Sequence, residues 1–107
     1  MGLFGRIGRG RGTARGARGE AATAVGHLTD FARSRRGVEA YLEPTTTVSG
    51  TTVVFVADTG EWTRRRVPDP GAARSLARKL GVPLYEAGIV GYPPRMREWT
   101  QKNRGNG

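Results

Sequence analysis

Between Thr51 and Ala57 the chain is rich in β-branched residues, and Val53, Val54, Phe55 and Val56 follow one another without a polar break. A short run that is apolar on both faces predicts a central strand of a sheet. Asp58-Thr59-Gly60 supplies turn chemistry, with glycine free to take positive φ, and residues 61–67 return as a second strand. In that strand Trp62, Arg64 and Arg66 alternate with Thr63, Arg65 and Val67. Arginines on both faces rule out burial of both, so the strand is placed at a sheet edge, where cations also oppose edge-to-edge pairing. Upstream, Val38, Ala40 and Leu42 alternate with Glu39, Tyr41 and Glu43, which predicts a half-exposed strand ended by Pro44. Residues 45–50 read as a loop or a strand start.

Two helices flank these strands. Val25, Leu28, Phe31 and Ala32 share one face of a helix predicted over 24–36, with Gly37 as its stop and Arg33, Arg35 and Arg36 at the negative end of its dipole. The second helix is punctuated by Asp69 as N-cap, Pro70 at the first position, Gly81 at the end and Pro83 beyond. Its stripe of Ala73, Leu76, Ala77 and Leu80 faces the sheet. Beyond it, short extended pieces are predicted at 84–85 and 89–90. Pro93-Pro94 then introduces a helical turn at 95–99, whose Met96 and Trp99 seal the apolar edge, and residues 101–107 fray. The fold class is α+β: one domain over 23–100, a small antiparallel three-stranded sheet packed by two helices in the order α–β–β–β–α, with a short C-terminal extension.

Composition adds a tail and a charge. The first 19 residues hold seven glycines and five arginines, including four Arg-Gly pairs, so residues 1–22 are predicted to be disordered. Of the 107 residues, 18 are basic, 16 of them arginine, against nine acids, a formal net charge of +9. That excess favours polyanions. There is no cysteine to staple the domain or bind zinc, which fits a reducing cytoplasm. No apolar run approaches the length of a membrane span, and no apolar segment follows Met1–Gly5 as a secretory signal would require.

Arg35-Arg36-Gly37-Val38-Glu39-Ala40, Gly60-Glu61-Trp62-Thr63-Arg64-Arg65-Arg66-Val67-Pro68 and Val90-Gly91-Tyr92-Pro93 give the chain a likeness over about residues 28–100. On these segments it resembles a family of small actinobacterial proteins of uncharacterised function, some of which carry an automatic oxidoreductase label. The resemblance implies a high-GC bacterial origin and one small domain, and no activity. The element order also resembles double-stranded-RNA-binding domains and the arm-type DNA-binding domains of phage-like integrases. The former carry lysines where the second helix here opens Asp69-Pro70-Gly71.

Neither a dinucleotide-binding glycine motif nor a nucleophile elbow is present, and the single histidine, His27, has no second ligand at metal spacing. The expectation is a non-enzymatic protein without cofactor or metal, which binds nucleic acid or a ribosomal or nucleoprotein surface. In the tail, the candidate contacts are Arg6, Arg9, Arg11, Arg15 and Arg18, through phosphates and base stacking. On the edge strand they are Trp62, as a stacking surface, with Arg64, Arg65 and Arg66. The second helix adds Arg74, Arg78 and Lys79. The alternative is a protein-interaction module whose basic edge docks an acidic partner. A solubilising tail, or one laid on anionic lipid beside Leu3, Phe4 and Ile7, competes for the Arg-Gly segment.

Overall fold

A computed structural model describes residues 12–104 of the protein. In chain order it contains α1 (Gly12–Ser34), β1 (Glu39–Leu42), β2 (Thr51–Val56), β3 (Trp62–Val67), α2 (Pro70–Leu80), β4 (Leu84–Glu86), α3 (Ala87–Val90) and α4 (Pro94–Arg104). The first five elements keep the order α–β–β–β–α. The fold is α+β around a four-stranded mixed sheet, ordered β3-β2-β1-β4.

The register carries the sequence alternation straight into two faces. Tyr41, Val54 and Arg64 lie in one cross-strand row, and Leu42, Val53 and Arg65 in the next, because directly opposed residues of antiparallel strands point the same way. On the first face Ala40, Leu42, Val53 and Phe55 meet Leu28 and Phe31 of α1 and Ala73, Leu76 and Ala77 of α2. Fully burying one such Leu or Phe contributes about 1.5–3 kcal/mol, so this layer dominates stability. On the opposite face Tyr41, Val54, Val56 and Ala87 form a second cluster, joined by Trp62 and Met96.

Helix α2 is built as its punctuation predicts. Asp69 is extended and accepts a hydrogen bond from the Ala72 amide at 2.8 Å, while Gly81 takes the left-handed conformation (φ 71°, ψ 27°) that ends the helix. The strand rich in arginine, β3, lies at the sheet edge.

Four expectations need correction. The sheet is not purely antiparallel and three-stranded: β4 adds to the free edge of β1 in parallel, Ala40 opposite Leu84, and the Ala40 amide donates to the Pro83 carbonyl at 2.8 Å. Residues 89–90 are not extended, since α3 turns there and leaves Ile89 and Val90 exposed. Helix α1 starts at Gly12, not near Ala24. Once the packed segment around Ala24, Leu28 and Phe31 has nucleated a helix, each residue added upstream gains a hydrogen bond without a new nucleation cost, and the intervening alanines suit it. At the other end, the helical turn expected at 95–99 extends through Arg104, and residues 105–107 of the predicted frayed end lie outside the described residues. The predicted disorder of residues 1–11 lies outside the described residues.

The strand β1 is less exposed than its alternation suggests. Tyr41 is only 6% exposed, because the chain after β4 folds back over the second face. Arg95 fastens this cover, donating from Nε to the Ala57 carbonyl (2.9 Å) and from its terminal nitrogen to Glu39 (2.8 Å). No helix among the described residues is long and apolar enough to cross a membrane.

Candidate nucleic-acid interface

The three consecutive arginines of β3 have three different surroundings, because the pleat sends neighbours to opposite faces. Arg64, on the second face, makes a two-pronged contact with Glu43, both N–H groups donating at 2.9 Å. Its guanidinium also sits 5.5 Å from the centre of the Trp62 ring. Arg65, on the α1 side, donates to the Arg64 carbonyl at 2.7 Å and approaches His27 Nδ1 at 3.4 Å. Arg66 reaches across to the β1–β2 loop and donates to the carbonyls of Ser49 (2.9 Å) and Val48 (3.5 Å). Among the described residues, only the first of the three meets a carboxylate.

Glu43 is the hub of the polar half of the second face. It accepts from Arg64, Thr52 and the Tyr92 hydroxyl. Burial alone pushes its carboxyl up, but the hydrogen bonds from Arg64, Thr52 and Tyr92 outweigh it and hold the group below the usual glutamate range. Glu39 is likewise held low, chiefly by its hydrogen bond from Arg95 and against the cost of burial. Tyr41 donates to Glu39 at 2.9 Å, and burial followed by that bond pushes its hydroxyl up to about 12.

A groove of about 930 Å³ lies at the C-terminal end of β3, between α1 and the β1–β2 loop. Its walls include Thr23 and Ala24 from the helix, Thr47 and Val48 from the loop, and Arg65 and Arg66 from the strand. No acidic residue is found among its described lining. Chemically the lining combines arginine, hydroxyl and small side chains, residue types suited to phosphate oxygens, although Arg65 and Arg66 leave β3 toward opposite faces.

The expected site residues do not form one surface. Arg65 and Arg66 line the groove. Trp62 stands on the second face, half-buried beside Met96, and donates its indole N–H to Thr100 of α4 at 2.8 Å. Arg74 pairs with Glu86 of β4 at 3.4 Å, at the opposite edge of the sheet from β3. Arg78 and Lys79 are exposed in the last turn of α2, where they complement the helix dipole. Arg15 and Arg18 fall within α1, their side chains outside the described set, and Arg6, Arg9 and Arg11 lie outside the described residues.

Thr47, Val48 and the loop that carries them were not singled out by sequence pattern. Gly50, with φ 71°, was the available signal, since a Thr-rich segment closing on glycine predicts a tight turn. Among the described residues no three His, Asp or Glu side chains cluster to hold a metal ion. No family model, curated protein or solved structure matches this chain.

Proposed function

We propose that this is a non-enzymatic, basic protein that binds nucleic acid, free or within a ribosomal or nucleoprotein particle. Arg65 and Arg66 supply the fixed contacts, and the arginines at the N-terminus supply additional affinity. The observation that carries the reading is the groove at the C-terminal end of β3: two arginines that meet no carboxylate among the described residues, flanked by hydroxyls, with no acid in the described lining. Among the described residues, ion pairs engage Glu39, Glu43, Glu61 and Glu86, so arginines that face no acid mark where positive charge is offered outward. The cations of α2 add a second, weaker basic area remote from the groove.

Filter binding with mixed-sequence DNA and RNA across a salt series tests the reading. Binding is expected to fall steeply as salt rises, and R65Q/R66Q is expected to weaken it at every salt concentration. Absence of binding at low salt, together with recovery of one stoichiometric protein from nuclease-treated lysate, would replace nucleic acid by an acidic protein partner.

A further inference from the structure

The single histidine, His27, takes no part in the proposed role, yet α1 sets it against β3. It is half-buried beside Leu28, one turn before Phe31, and both of those residues are in the core. Its Nε2 lies 2.8 Å from Thr63 Oγ1, and its Nδ1 lies 3.4 Å from a terminal nitrogen of Arg65. Thr63 and Arg65 are two apart on the strand, so both leave it on the side that faces α1. One ring therefore bridges two side chains of β3. Arg65 is at the same time part of the groove's lining.

The donors available fix where the ring proton sits. A guanidinium only donates, so Arg65 bonds to Nδ1 only while Nδ1 carries no hydrogen. A neutral ring with a bare Nδ1 is protonated on Nε2, which then donates to the Thr63 hydroxyl. The hold on Arg65 thus belongs to one state of His27, the neutral Nε2–H tautomer. Proton uptake puts a hydrogen on Nδ1 and sets a second positive charge beside the guanidinium. The contact then becomes donor against donor and cation against cation. At 3.4 Å the bond is long and correspondingly weak, so a single proton suffices to undo it. No nearby acid offsets the repulsion. Among the described residues no carboxylate pairs with His27: Asp30, one turn on in α1, is exposed, and Glu61 and Glu43 are engaged by Arg35 and Arg64. The buried residues of α2, which packs on the same side of the sheet, are Ala73, Leu76 and Ala77, and they carry no charge.

We infer that His27 positions Arg65 and gates it by proton uptake: the neutral ring holds the guanidinium to the domain, and the protonated ring frees it for a polyanion. The hold itself is independent of the proposed function, whereas its effect on binding rests on the nucleic-acid reading. Because the chain has one histidine, NMR of the full-length protein reads its ring nitrogens without overlap. Histidine changes charge between about pH 5 and 8, so spectra at about pH 8 and about pH 5.5 compare the two states. At the higher pH the ring is expected as the Nε2–H tautomer. The side-chain Nε–H signal of Arg65, identified by its absence in R65Q, should shift as the ring is protonated. In His27→Gln, which keeps hydrogen-bonding groups but takes up no proton in this range, that signal should hold still. Fluorescence anisotropy with a labelled DNA duplex at constant salt should show binding several-fold tighter at the lower pH, with a much smaller response in H27Q. An Nδ1–H tautomer at the higher pH, or an Arg65 signal that ignores the ring's titration, overturns the inference and leaves the broader role standing. Equal affinity at the two pH values in a protein that binds the duplex overturns the gate. Absence of nucleic-acid binding at low salt, while the Arg65 signal follows the ring, overturns the nucleic-acid role alone.

Discussion

Glu43 concentrates more competing interactions than any other carboxylate on the second face, and its replacement separates stability from binding. Glu43→Gln keeps the side-chain shape but removes the charge that Arg64 and Tyr92 address, leaving Arg64 with a neutral acceptor. Weakening hydrogen bonds to a charged, largely buried group costs about 1–3 kcal/mol, so the urea midpoint should fall. Polyanion affinity should rise in the same variant, since Arg64 is released and the formal charge grows by one. A variant that loses stability and affinity together would show that Glu43 orders the binding surface itself. The same carboxylates set the acid limb. Glu39, Glu43 and Glu61 are all held below the ordinary range, so the folded state binds fewer protons than the unfolded chain as pH falls through that range. Their contribution is complete above the unfolded glutamate pKa of about 4.3 and is lost as pH drops toward the lower folded values. Denaturation at stepped pH should therefore show stability declining from about pH 5 downward, less steeply in E43Q. A parent protein equally stable across that interval would count against these pairs.

At the level of elements, α4 is held to the sheet by a few specific contacts, and Gly60 is where the backbone passes closest. With φ at 96°, a Cβ on Gly60 would overlap the Arg95 carbonyl and lie 2.9 Å from Trp99 Cβ. Gly60→Ala should accordingly lift α4 and cost about 2 kcal/mol or more, with tryptophan emission shifting red as Trp62 loses its cover. Unchanged emission would mean that the turn yields without moving the helix. Leu28→Ala, beneath α1, should cost about 2–5 kcal/mol by cavity formation while leaving emission unchanged until unfolding. Legibility in the sequence differs among these elements for physical reasons. Helix α2 was readable to the residue because Asp69, Pro70 and Gly81 each perform a local job. The β2–β3 hairpin was readable because its alternation and turn agree. Strand β4 is three residues long, too short for a period, and its partner is fixed by the crossover of α2. The start of α1 was hidden because glycine density argues locally against a helix that tertiary packing downstream supports. No local pattern announces that Trp62 donates to Thr100 of α4. Arg66, by contrast, was legible as an edge cation, but its grip on the Val48 and Ser49 carbonyls depended on a loop conformation the sequence only suggested.

Charge is where the molecule behaves as a whole. Its excess of nine positive charges is not spread evenly, because the ion pairs gather acids onto the second face and the flank of α2 while the β3 groove has none in its described lining. The proposed role has two sources of polyanion affinity, one fixed on the folded domain and one in the glycine- and arginine-rich start of the chain. Because they are far apart in sequence and need share no contacts, their effects on salt dependence should add. Deleting residues 1–11 removes Arg6, Arg9 and Arg11 and no acid, so the log K against log salt slope should become shallower by up to about 0.9 unit for each arginine that meets a phosphate. R65Q/R66Q should reduce it by about two units by the same rule, and the combined variant by the sum. Titrations across a salt series measure all four proteins directly. If the deletion alone abolishes the salt dependence, the domain is a passive carrier of its N-terminal arginines. If the deletion changes nothing, binding belongs to the groove, and the arginines before Gly12 serve another purpose.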